Sequence, residues 1–372
     1  MTGPVADTLA RTLARRIAHE GPITVAAFMA EALGHPRFGY YMRQDPFGTQ
    51  GDFTTAPEIS QMFGELVGLW CADTWQRLGM PAEVHLIELG PGRGTLMADV
   101  LRAATILPPF RDAIRVHMVE TSPTLRARQQ ATLEGKGATW HGRLEDVPEG
   151  PALVIANEFF DALPVRQIQK APHGWAERLV DIDPATPDGE EPRFRFVLEA
   201  FGSPGASLVP ERLRDAAVGS VVEVSPASQA VARALGARLA ARGGAALVID
   251  YGYAHGPAVG DTLQALRKHA YAPVLEAPGM ADLTAHVDFA SLAAAARDEG
   301  AEAHGPVDQG VLLQRLGIVQ RAGVLKRTAT PQQAADIDSA LARLIAPDQM
   351  GTLFKAIALT APGLGAPAGF ED

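Results

Sequence analysis

Cysteine is nearly absent, with Cys71 the only one in 372 residues. That excludes an intramolecular disulfide and a thiolate zinc cluster built from one chain, and it fits a reducing compartment. Long apolar runs are missing as well. No stretch approaches the ~18 consecutive apolar residues of a membrane-spanning helix. A hydrophobic content of 47% instead points to a water-soluble globular protein without membrane insertion. Nor is there an excess of positive charge, since 33 Lys and Arg stand against 43 Asp and Glu for a net charge of −10. Sequence-independent nucleic-acid binding rests on Lys and Arg neutralising phosphates, so this balance argues against it and leaves room for a cationic partner. The 10 histidines include no H-E-x-x-H or comparable close pair, and no metal is assigned.

The N-terminus lacks the apolar core of a secretory signal. Arg11, Arg15 and Arg16, interleaved with Asp7 and Glu20, read as a first helix, although an Arg-bearing start is also a feature of mitochondrial transit peptides. From Pro57 to about residue 77, Ile59, Met62, Phe63, Leu66, Val67, Leu69 and Trp70 fall at near-helical spacing, as in a buried amphipathic helix. Residues 1–80 are expected to form a helical segment covering the site.

From residue 84 short apolar runs alternate with helical patterns, the mark of βαβ units and a parallel sheet. Residues 84–89, 116–119, 153–156 and 247–249 are the expected core strands of a doubly wound, mostly parallel, Rossmann-like α/β domain over 81–372. Strand-like pieces at 165–169, 177–180 and 194–198, joined by Pro/Gly/Asp-rich loops, predict a β insertion over about 165–215. A helix over 227–241 stops at Gly243 and Gly244, and the chain closes with a helix over 331–345 and a strand over 353–359.

The motif Glu88-Leu89-Gly90-Pro91-Gly92-Arg93-Gly94-Thr95 lies between the first core strand and a helix with Leu96, Met97, Val100 and Leu101 on its apolar face. Glycine lets the chain turn sharply and lets a ligand approach the backbone, while the free N–H groups of the helix start face that ligand. A dinucleotide fingerprint would need its third glycine at position 95, where Thr95 stands. The spacing resembles motif I of class I methyltransferases, in which the turn cradles S-adenosylmethionine. Glu120 ends the second strand, where an acid can bind both ribose hydroxyls. Glu88 is expected at the cofactor's amino group, and the backbone near Leu144, or Glu145, at the adenine.

Asn157-Glu158-Phe159-Phe160-Asp161-Ala162-Leu163-Pro164 follows the fourth strand, where class I methyltransferases place residues that meet the acceptor. One reading is a helix cap by Asn157 or Asp161. The other is that Glu158 and Asp161 bind a cationic acceptor, best a guanidinium, whose planar fork pairs bidentately with carboxylates. Glu158, Asn157 and Asp161 are therefore the candidate catalytic residues.

These motifs, together with Gly21-Pro22-Ile23-Thr24, His35-Pro36-Arg37-Phe38-Gly39-Tyr40-Tyr41, Gly51-Asp52-Phe53-Thr54-Thr55-Ala56-Pro57-Glu58, Asp250-Tyr251-Gly252 and His286-Val287-Asp288-Phe289, resemble the MidA-like family. The resemblance implies a protein arginine methyltransferase acting in complex I assembly on a core subunit of NADH:ubiquinone oxidoreductase. It places the protein in the bacterial cytoplasm, or in the mitochondrial matrix if the source is eukaryotic. Among these blocks, Thr54, Thr55, Pro57 and Glu58 are expected to cover the cofactor, Phe38, Tyr40 and Tyr41 to wall an extended peptide, and Asp250 and His286 to border the pocket. The alternatives are a non-enzymatic assembly factor that keeps the fold and an NAD-dependent oxidoreductase.

Overall fold

The computed structural model describes residues 7–43, 55–187, 189–200 and 204–371. Its centre is an eight-stranded sheet. In spatial order the strands are Glu302–Asp308, Phe354–Thr360, Gly244–Tyr253, Ala152–Asn157, Val84–Leu89, Ile114–Val119 and Thr139–His141, with Val287–Asp288 beside the end of Gly244–Tyr253. The run from Gly244–Tyr253 to Thr139–His141 is parallel, and Phe354–Thr360 pairs antiparallel with both of its neighbours.

Val84–Leu89 and Ala152–Asn157 are buried at every position. Strands covered on both faces read as continuous apolar runs, which is why they were legible. One face packs under Gln61–Arg77 and Thr95–Ala104 through Trp70, Leu66 and Leu86, and the other under Pro226–Arg242 and Phe289–Asp298 through Val154, Leu235 and Leu292. The strand order reverses between Val84–Leu89 and Ala152–Asn157, and the glycine turn and the acidic loop leave the carboxyl ends of these two strands. Ligands of open α/β sheets bind at such a switch point.

The helix expected from Pro57 is two helices, Ala56–Ile59 and Gln61–Arg77. Ser60 breaks it with an extended backbone, and its side chain accepts the N–H of Met62, so the serine starts a new helix instead of continuing the old one. The insertion reaches beyond residue 215. Arg166–Ala171, Gly174–Ile182 and Phe194–Leu198 are joined in one antiparallel sheet by Val221–Val224 and by Ile23–Thr24 of the N-terminal segment, which is thus not purely helical. A third sheet, Gln264–Arg267 flanked by Ala270–Ala272 and Asp282–Thr284, was not expected, because strands this short carry too few alternations to show a period. The helices Pro226–Arg242 and Pro331–Ile345 and the strand Phe354–Thr360 lie where the sequence puts them, within a residue.

Histidines scattered in sequence also meet. His85 Nδ1 lies 3.0 Å from His117 Nε2, and His117 Nδ1 lies 2.9 Å from His141 Nε2, across three neighbouring strands. Burial lowers the pKa of all three, that of His117 to about 4, so the row is neutral near pH 7.

Candidate active site

Gly90, Gly92 and Gly94 have φ of 59°, 51° and 80°, in the left-handed region that favours glycine. At Gly90 a Cβ would also meet Cδ2 of Phe159 at 2.8 Å, so the turn and the acidic loop pack too closely for any side chain there. Gln129, which sequence reasoning did not single out, ties the turn to Glu120. Its Nε2 donates to the Gly92 carbonyl at 2.8 Å and to Glu120 Oε2 at 3.1 Å. The N–H of Ser122 donates to Glu120 Oε1 at 2.7 Å. Each Glu120 oxygen keeps acceptor capacity, so the carboxylate is positioned without being used up.

Beside the turn a narrow cleft is lined by Thr55, Pro57, Glu58, Glu88, Asn157 and Glu158, among others. Thr55 is buried, and its side chain does not cap the helix it precedes; Glu58 accepts the Thr95 hydroxyl at 2.8 Å. Thr54 lies outside the described residues. Two acceptors in the cleft, Glu88 Oε2 and Asn157 Oδ1, are buried without a hydrogen-bond partner. Leaving such groups unpaired costs ~1–3 kcal/mol each. Burial also raises the Glu88 pKa well above the usual carboxylate range. Orphaned acceptors beside a glycine turn fit a ligand that brings N–H donors, such as the α-ammonium of S-adenosylmethionine.

Glu158 sits at φ 50° and donates its N–H to the Ile249 carbonyl at 2.9 Å. Its Oε1 accepts the Ala56 N–H at 3.0 Å and the Asn157 amide at 3.1 Å. Burial, more than the nearby Asp161, pushes its pKa up to about 7. Asp161 is likewise raised to about 6 by burial, against a hydrogen bond from Tyr251.

No helix follows Asn157, which corrects the helix-cap reading. The N–H groups of Phe159, Phe160 and Asp161 instead donate to Asp250 Oδ2 at 3.2, 3.0 and 3.2 Å, while Oδ1 accepts the Tyr251 N–H at 2.9 Å. Burial raises the Asp250 pKa, as do Asp161 and Glu158, and the amide donors oppose them. Asp250 therefore positions the loop from the neighbouring strand. The sequence had placed it only at the pocket border.

Both halves of the site open into one cavity of about 680 Å³. Gly90, Gly92 and Glu120 line one end, and Glu158, Asp161, Tyr41, Tyr251 and Asp282 line the rest. Its described lining holds four carboxylates and no Lys or Arg, and burial lowers the pKa of its histidine, His286. Of the expected aromatic wall only Tyr41 reaches the cavity; Tyr40 is fully buried in the N-terminal core and Phe38 stacks on His35. Leu144 does not line it either. Its side chain packs with Ile87 and Leu89, and its carbonyl accepts the Val147 N–H. Neither cysteine spacing nor charge runs could have revealed Asp282, because it becomes a site residue only when the small sheet forms.

The strand order, the glycine turn at the switch point and the acid ending the next strand define a class I S-adenosylmethionine-dependent methyltransferase. Residues 66–307 match the model of a family described as S-adenosyl-L-methionine-dependent methyltransferase. The chain is 41% identical to the protein arginine methyltransferase NDUFAF7 homolog, mitochondrial, of Drosophila melanogaster, covering 95% of this chain and 84% of that one. It is 40% identical to protein arginine methyltransferase NDUFAF7, mitochondrial, of Homo sapiens, covering 96% and 84%. A solved structure of a COG1565 superfamily member from Burkholderia thailandensis, bound to S-adenosyl-homocysteine, superposes with TM-score 0.83 at 30% identity, covering 99% and 97%. The chain belongs to this methyltransferase family, and the MidA-like resemblance holds. Its cofactor is S-adenosylmethionine, and the oxidoreductase alternative falls.

Proposed function

We propose that the protein methylates an arginine side chain of a protein substrate. The observation that carries this reading is the lining of the cavity, with carboxylates from several elements and no Lys or Arg among the described residues. Such a lining favours cations and leaves a neutral or anionic acceptor without a counterpart.

In this reading the Gly90, Gly92 and Gly94 turn holds the cofactor with Glu120 at the ribose, Glu88 and Asn157 take its ammonium, and Thr55 and Pro57 close over it. Bound S-adenosylmethionine supplies an electrophilic methyl group on a cationic sulfonium. Glu158 and Asp161 orient the guanidinium and draw its positive charge away from the nitrogen to be methylated, leaving that nitrogen an electron pair for attack. Oε1 of Glu158 is occupied by Ala56 and Asn157, so Oε2 is the oxygen left to meet the acceptor. As the new N–C bond forms, that nitrogen loses a proton. A carboxylate titrating at about 7 can take it and return it to solvent.

The MidA-like resemblance makes a core subunit of NADH:ubiquinone oxidoreductase the proposed acceptor protein, in the bacterial cytoplasm or the mitochondrial matrix. The non-enzymatic alternative is disfavoured by Glu88 Oε2 and Asn157 Oδ1, since a pocket that never held a cofactor would have no reason to keep two unpaired acceptors. The test is radiolabelled methyl transfer from S-adenosylmethionine into a lysate lacking this gene, followed by mass spectrometry of the labelled protein. Label on arginine is expected, and label confined to another residue type overturns the reading.

A further inference from the structure

One whole face of the small three-stranded sheet is a wall of the cavity. Asp282 and Thr284 alternate with Leu283, and Gln264 and Leu266 alternate with Ala265. The register pairs Gln264 with Thr284 and Leu266 with both Asp282 and Tyr271, so these five side chains share one face. All five line the cavity. The opposite face, Ala265 and Leu283, is buried against the N-terminal helices with Leu33 and Phe28. Depth along the wall is graded. Asp282 is 4% exposed and accepts the Tyr41 hydroxyl at 2.8 Å, whereas Tyr271 is 78% exposed. Ala285, next to Thr284, joins this wall to the acidic loop by donating its N–H to the Asp161 carbonyl at 3.0 Å.

We propose that this sheet face is the acceptor-reading element, with Asp282 a second carboxylate for the guanidinium, Leu266 a contact for its methylene stem and Tyr271 a contact for the polypeptide at the mouth. The inference rests on the arginine reading above and deepens it. Asp282 lines the same cavity as Glu158 and Asp161, and a guanidinium presents donors on two edges, enough for carboxylates on two sides. The second acid comes from an element separate from the acidic loop, the strand Asp282–Thr284. Specificity and chemistry are thereby carried on different parts of the chain.

Calorimetry on the full chain saturated with S-adenosylhomocysteine tests this, with the peptide Gly-Gly-Arg-Gly-Gly, its citrulline and lysine counterparts, and agmatine as probes. The wild type is expected to prefer the arginine peptide over the other two. Asp282→Asn should weaken it tenfold or more, and Tyr271→Ala should weaken the peptide severalfold while sparing agmatine. Neither should change S-adenosylhomocysteine affinity, and if Asp282→Asn loses it through misfolding, the exposed Tyr271 decides. Peptide affinity unchanged in both variants but lost in Glu158→Gln overturns this inference and leaves the arginine reading standing. A wild type that takes the citrulline or lysine peptide equally well overturns both.

Discussion

The backbone N–H of Ala56 donates to Glu158 Oε1 at 3.0 Å, across 102 positions of chain. This bond joins the cover of the cofactor cleft to the loop that faces the acceptor, so Glu158 lies where the two compartments meet. Replacing it by Gln keeps its size and an oxygen for Ala56 but removes the charge. If the acceptor is a guanidinium, a charge-assisted pair of ~1.5–3 kcal/mol is lost, a drop in methylation of roughly ten- to a hundredfold, and more if Oε2 also takes the proton. Cofactor affinity should stay within about threefold. Steady-state kinetics beside cofactor titration check this, and normal turnover with weakened cofactor binding would assign Glu158 to the cofactor instead.

What could be read from sequence follows from how each part is built. The strands Val84–Leu89 and Ala152–Asn157 were legible because both faces are covered, and the glycine turn because its φ values demand glycine. Glu158 and Asp161 were legible as polar residues at the end of a buried strand. Asp250 was misjudged because its partners are three amides about 90 positions away, and amides leave no trace in residue type. The wall around Asp282 was invisible for the same reason, since it is made by the pairing of short strands. The Leu144 side chain packs in the core, so what was expected of this position at the adenine is a backbone contact, which residue type does not reveal.

Gly92→Val tests the turn. At φ 51° a β-branched side chain costs roughly 1–3 kcal/mol of strain, within the reserve of most domains. The added atoms also fill the surface a ligand must approach, and they strain the carbonyl held by Gln129. The expected result is a folded protein with a lowered melting temperature and no measurable S-adenosylhomocysteine binding by calorimetry. Unchanged affinity in the folded variant would take the turn out of the cofactor site.

Asp250→Asn should disorganise the acidic loop although Asp250 touches neither compartment. Asn has one acceptor oxygen, so either the three amides of Phe159, Phe160 and Asp161 or the amide of Tyr251 must face an NH₂ group. Losing buried bonds to a charged acceptor costs roughly 2–4 kcal/mol. Turnover is expected to fall at least tenfold, with faster hydrogen exchange confined to residues 158–164. Wild-type turnover would show that the loop holds its shape without this carboxylate.

The raised pKa of Glu158 ties activity and stability to pH in opposite senses. Its value is about 7 in the folded chain, against ~4.5 expected for an unfolded glutamate. A carboxyl with a raised folded pKa binds its proton more tightly when folded. Its penalty is therefore absent below ~4.5, grows as pH rises, and is complete above about 7. Because the side chain opens on the cavity and is partly screened by solvent, a penalty of roughly 1–2 kcal/mol is expected rather than the full linkage value. Glu158→Gln should thus raise the melting temperature of the cofactor-free protein at pH 8 and leave it unchanged near pH 4.5. Methylation should behave the other way, with kcat/KM rising through about pH 7 as the carboxylate ionises and levelling off above it. Melting curves and rate profiles over the same pH series decide. A stability gain that persists at pH 4.5 would trace the effect to packing rather than charge, and a rate profile flat from pH 6 to 8 would show that Glu158 is already ionised in the free enzyme.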